Sequence, residues 1–129
     1  MLKPGMKHSE TITVEAYMTA KVMKSGASDV FATPYMIAMM ENVCLECVQP
    51  YLEPGMGTVG TAVNVSHSAP TPEGMQVRFD CELLEIDRRR LVFAVSAFDT
   101  REQIGSGTHE RFIVDMDKHV GKAKAKLEG

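Results

Sequence analysis

The stretch VFATPYMIAMMENVCLECVQPYL, from Val30 to Leu52, decides how the rest of the chain folds. Thr33 followed by Pro34 opens a helix: the hydroxyl can accept an orphan backbone N–H, and proline sits without penalty at the first helical position. Pro50 biases Gln49 away from helical angles, so the spacing predicts a helix of roughly four turns that stops just before it. Asn42, Glu46 and Gln49 form one narrow polar stripe, whereas Tyr35, Met36, Ile37, Met39, Met40, Val43, Cys44, Cys47 and Val48 cover most of the remaining circumference. A helix this apolar is expected to be wrapped by other structure. Glu41 interrupts the pattern, falling about 100° from Asn42 on the row of Ile37, Cys44, Leu45 and Val48. Burying a carboxylate there costs several kcal/mol unless it is protonated, paired or hydrogen-bonded, and such carboxylates are over-represented at active sites. The competing reading is a glutamate at the edge of the apolar face with its head in water.

Outward from this helix the chain reads as strands. Glu10 to Val14 alternates apolar and polar residues, with Ile12 and Val14 on the inner face. Met18 to Ser28 has no clean period and serves as a connector. After the helix, Pro54-Gly55 is turn chemistry, and a strand follows in which Val63, Val65 and His67 share one face. Val77, Phe79, Cys81 and Leu83 alternate with polar residues in a long antiparallel strand, Leu91 to Asp99 returns, and a last strand runs from about Gln103 to Asp115. Gly105 and Gly107 leave a gap on one face of that strand, where the helix is expected to press. The expected class is α+β: about five antiparallel strands around one long central helix, in the order β-α-β-β-β-β. At 129 residues the chain reads as a single domain, with residues 1–7 and 119–129 as frayed tails. An open sheet edge and face would be covered by a second copy, so a homodimer is expected.

Composition narrows the function. The net charge of −3 and dispersed Lys and Arg give nucleic-acid binding little support. The first residues lack an apolar signal region and no apolar run approaches the roughly 20 residues that cross a bilayer, so no membrane association and a cytoplasmic location are expected. The three cysteines suit a reducing compartment, and the C-x-x-C of Cys44 and Cys47 lies inside the helix without a second pair for zinc, which makes them buried thiols. His8, His67, His109 and His119 have no metal spacing, and no metal or cofactor is expected. There is no G-x-S-x-G elbow or phosphate-binding loop.

What remains is a polar set: Thr33, Glu41, His67, His109 and Arg111. A carboxylate, an imidazole and a hydroxyl around a cleft are the parts needed for acyl-group hydrolysis. Each also has a plainer role. The plainer roles are a helix cap for Thr33, a core histidine held by a carbonyl for His67, and a solvated pair or partners of Glu85 or Glu102 for His109 and Arg111.

The blocks VFATPYMIAMMENVC, PYLEPGMGTVGTAVNVSHSAPTPEG, DRRRLVFAVSAFDT and IGSGTHERF, between Val30 and about Lys118, resemble the hotdog-fold thioesterases typified by fluoroacetyl-CoA thioesterase. The resemblance implies a hotdog fold and an acyl-CoA thioesterase that hydrolyses a short-chain acyl-CoA to free acid and CoA, the CoA being part of the substrate. It implies a catalytic set of Thr33 in F-A-T, Glu41 in M-M-E and His67 in V-S-H. It further implies substrate contacts from the Gly60 backbone N–H and Arg111. The segment before the helix is shorter than the phenylalanine-bearing lid of the enzyme it resembles, leaving Phe31 alone as the aromatic residue beside the motif. The alternatives are a non-catalytic acyl-CoA or small-ligand binding module and, more distantly, a dehydratase of hydroxyacyl thioesters.

Overall fold

A computed structural model describes residues 1–129. Five strands form one antiparallel sheet: β1 (Lys7–Thr13), β2 (Met56–His67), β3 (Gln76–Asp87), β4 (Arg90–Asp99) and β5 (Gln103–Asp115), in spatial order β1-β3-β4-β5-β2. The long helix α2 (Thr33–Val48) follows a short helix α1 (Ala20–Met23) and packs chiefly on β3 and β1. The β-α-β-β-β-β frame expected from the sequence is present.

Alternation does most of the work. Val77, Phe79, Cys81 and Leu83 of β3, with Leu91, Phe93, Val95 and Ala97 of β4, point to one face and are buried. Met36, Met40, Val43, Cys44, Cys47 and Val48 of α2 meet them. Each buried Val, Leu, Phe or Met among them contributes about 1.5–3 kcal/mol by leaving water. The three cysteines are free buried thiols; burial and the neighbouring thiols push Cys47 up to about 12 and Cys44 higher still.

Three features depart from the sequence reading. The helix is covered on one side only: Thr33, Pro34 and Ala38 are exposed and Ile37, Glu41 and Leu45 half-exposed, because the sheet reaches its β3 side and leaves this row open. The C-terminal segment expected to fray forms a third helix, α3 (Met116–Ala125), whose start is capped by Asp115 accepting from the Lys118 N–H at 3.1 Å. At the other end, residues 5 and 6 are tied to the sheet through the Gly5 N–H and the Met6 carbonyl, both bonded to Leu83. No helix is long and apolar enough to cross a membrane.

The expected pressure at the last strand is there. A Cβ on Gly105 would lie 2.7 Å from Met36 Sδ and 2.9 Å from the Ser66 carbonyl oxygen. Gly107 instead faces the backbone of β2, at Asn64 and Val65. Its neighbour β2 is an edge strand, and residues 60–64 are all exposed.

Candidate active site

The candidate side chains fall into two clusters along α2, β2 and β5. At the first turn, Ala32 occupies the helix cap and Thr33 is already helical, so the threonine hydroxyl makes no capping bond. It lies 2.7 Å from His67 Nδ1 at the end of β2. The plain cap role is therefore excluded, and His67 Nδ1 has a side-chain partner. His67 Nε2 is buried and has no hydrogen-bond partner. Burial pushes the imidazole pKa below its ordinary value, with the Ala69 backbone opposing. Phe31, only 1% exposed, sets its ring edge-on to His67 and to Tyr35 at centroid distances of 6.5 and 6.0 Å. A cleft of about 280 Å³ opens beside this cluster, lined by Val30, Phe31, Thr33, His67, Ala69 and Pro70 among others.

The second cluster gathers around Gly60. A Cβ there would fall 2.6 Å from Glu41 Oε2, 3.2 Å from His109 Cε1 and 3.5 Å from Arg111 Nη1. Only glycine lets the carboxylate lie against this strand. The register of β2 on β5 slips between Gly60 and Ala62, a bulge that leaves Thr61 without a residue opposite. Glu41 Oε2 is 3.7 Å from Arg111 Nη1, and its side chain is 40% exposed, so the carboxylate is at the open edge of the helix rather than sealed in the core. The expectation of a poorly solvated acid is corrected to that extent, again because the row of Ile37 and Leu45 is uncovered.

Arg111 is buried, which the sequence left open. Its Nε donates to Thr58 Oγ1 at 2.7 Å, its Nη2 to the Thr58 carbonyl at 2.8 Å, and its Nη1 lies 3.1 Å from His109 Nε2. His109 is buried too, stacked on Phe93 at 6.5 Å, with Nδ1 at 2.8 Å from the Ala62 carbonyl. Neither pairs with Glu85, which instead accepts from Arg90. Desolvation lowers the pKa of both, more than offsetting the nearby Glu41. Thr58 was missed from the sequence; only the register of β2 on β5 brings it to Arg111.

The structure therefore brings Thr33 to His67, and Glu41 to Gly60, Arg111 and His109. No hydrogen bond or ion pair joins the two clusters within one chain, and Thr33 and Glu41 are about 12 Å apart along the helix axis at 1.5 Å per residue. The largest surface depression, about 500 Å³, is elsewhere, on the outer face of β1, β3 and β4, where Ser9 and Arg78 already satisfy Asp80.

A family model described as fluoroacetyl-CoA-specific thioesterase matches residues 14–117. The fluoroacetyl-CoA thioesterase of Streptantibioticus cattleyicolor is 46% identical over 98 residues, covering 76% of this chain and 70% of that protein. A solved structure of a fluoroacetyl-CoA thioesterase superposes with a TM-score of 0.94 at 36% identity, covering 98% of both chains. A hypothetical protein of Thermus thermophilus, described as a thioesterase superfamily member, does so at 0.91 and 25% identity, over 99% of this chain and 95% of its own.

Proposed function

Because this chain belongs to the fluoroacetyl-CoA-specific thioesterase family and has its hotdog fold, we propose that it hydrolyses a short-chain acyl-CoA to the free acid and CoA, with Thr33, Glu41 and His67 as its catalytic set. Glu41, held beside Arg111 and against the Gly60 backbone, supplies the carboxylate that either attacks the thioester carbon itself or takes the proton of the water that does. His67, oriented by Thr33, moves the proton that the departing thiolate needs. The Gly60 N–H polarises the thioester carbonyl, a contribution of roughly 3 kcal/mol to the transition state for a backbone donor of this kind. The cleft of about 280 Å³, floored by Phe31, suits a short acyl group. Cytoplasmic location is part of the same reading.

The observation that carries the proposal is the Thr33 hydroxyl: it leaves the helix cap to Ala32 and turns to His67 Nδ1. A residue needed only for the helix would not be spent on an imidazole.

The separation of the two clusters supports a homodimer. The exposed edge of β2 offers unpaired backbone to a second copy in antiparallel register. With the twofold axis near Val63 and Asn64, Gly60 and Glu41 of one protomer come opposite Thr33 and His67 of the partner subunit. Each site is then built from both chains.

The test is release of free thiol from acetyl-CoA, propionyl-CoA and fluoroacetyl-CoA by the purified protein. Glu41→Gln should lose at least about 10²-fold in kcat while retaining its melting temperature. Unchanged turnover in that variant overturns the catalytic assignment. Calorimetric binding of acyl-CoA without thiol release by the wild-type protein would point to a binding module instead.

A further inference from the structure

Resting on the thioesterase reading above, we propose that His109 is a positioning residue of this site, neutral in the working protein, which fixes both the Arg111 guanidinium and the bulged segment of β2 against which Glu41 lies. It touches no reacting atom. Its effect runs through two hydrogen bonds whose directions the chemistry of the partners determines.

Arginine can only donate, so the contact of 3.1 Å from Arg111 Nη1 makes His109 Nε2 an acceptor. A carbonyl can only accept, so the contact of 2.8 Å to Ala62 makes Nδ1 the protonated nitrogen. One neutral tautomer satisfies both ends. An imidazolium would set a second N–H against a guanidinium, in a position only 1% exposed. The ring is supported from below by Phe93 of β4, stacked at 6.5 Å with an interplanar angle of 28°.

The atom that His109 holds is the one that matters to the acid. Arg111 Nη1 is the group 3.7 Å from Glu41 Oε2, while Nε and Nη2 are held by Thr58. Thr58 fixes the stem of the fork and His109 its remaining tine. The other contact acts on the backbone. Ala62 closes the bulge that begins at Gly60, and the bulge is pinned on its other side by Thr61 Oγ1 donating to the Glu110 carbonyl at 3.2 Å. The charged groups that act on the imidazole are Arg111, Glu41 and Glu110, and burial outweighs the two acids in keeping it neutral. Displacing a catalytic group by about 1 Å can cost 10²-fold in rate, so losing these two bonds should act on turnover rather than on substrate capture.

The experiment compares His109→Leu, which fills the space without either bond, with His109→Gln, whose amide can donate to Ala62 and accept from Arg111. With acetyl-CoA, His109→Leu should lose about 10²-fold in kcat with KM little changed, and His109→Gln should recover most of it. A folded His109→Leu protein with wild-type kcat overturns the proposal, as does a His109→Gln protein no better than the leucine variant. Should either variant not fold, the wild-type protein decides. Its imidazole ¹⁵N shifts should report a neutral Nδ1–H ring from about pH 6 to 8, and a charged ring or an Nε2–H tautomer overturns the assignment. A wild-type chain that cleaves no thioester removes the functional reading above, whereas the tautomer still decides whether His109 holds Arg111.

Discussion

A threonine hydroxyl at the start of a helix can satisfy an orphan backbone N–H or reach sideways to another element, and the two choices have different energetic signatures. Losing a capping bond costs about 1 kcal/mol of stability. Losing a bond that only orients an imidazole leaves stability nearly unchanged. Thr33 takes the second course, so Thr33→Val should change the unfolding free energy by less than about 0.5 kcal/mol, measured by urea denaturation, while lowering kcat about tenfold through the lost bond to His67. A loss of a full kcal/mol with unchanged turnover would return Thr33 to a structural role. At this scale the sequence was informative about residue type and less so about surroundings. Helical spacing singled out Glu41 as an acid on an apolar row, but could not tell that the row is uncovered. Strand alternation put His109 and Arg111 on one face without saying that the face points inward, because their partners Thr58 and Ala62 are about fifty residues away in sequence.

The elements were the most legible level. Alternation in β3 and β4 and the apolar circumference of α2 fix which faces meet, since a one-residue slip in either strand would turn the whole buried set to solvent. Gly105 carries the same logic into the contact between helix and sheet. There the helix approaches through Met36, and the backbone of β2 passes so close that a methyl group would meet the Ser66 carbonyl at 2.9 Å. Methionine can shift; a carbonyl held in a ladder cannot. Gly105→Ala should therefore destabilise the protein by about 1–3 kcal/mol, seen as a lower urea midpoint with unchanged m-value. A variant as stable as the wild type would mean that β2 can move away from β5 at no cost. What alternation and helical period did not reveal is α3. Its lysine-rich sequence has no apolar face to bury, and every residue of it is exposed. It forms on local signals, the Asp115 cap, Asp117 in the first turn and Lys122 and Lys124 in the last, which complement the helix dipole.

For the molecule as a whole, the decisive feature is that one chain holds two separate clusters and an open strand edge between them. If each site takes Glu41 and Gly60 from one protomer and Thr33 and His67 from the other, then a Glu41→Gln homodimer and a His67→Ala homodimer are both inactive for different reasons. Mixed by denaturation and refolding, they behave differently from either parent. In a heterodimer one site collects both defects, and the other collects none. Half of the dimers are heterodimers at random assortment, and one of their two sites is intact, so the mixture should recover about a quarter of wild-type activity per protomer. If each chain instead completed its own site, every site in the mixture would keep one defect and no activity would return. Thiol release from acetyl-CoA, assayed on the refolded mixture beside the two refolded parents, separates the outcomes without any knowledge of the natural acyl group. The same mixing done with Arg78→Ala, whose side chain pairs with Asp80 on the outer face of the sheet, away from both clusters, should show no such recovery, because that substitution leaves all sites whole from the start.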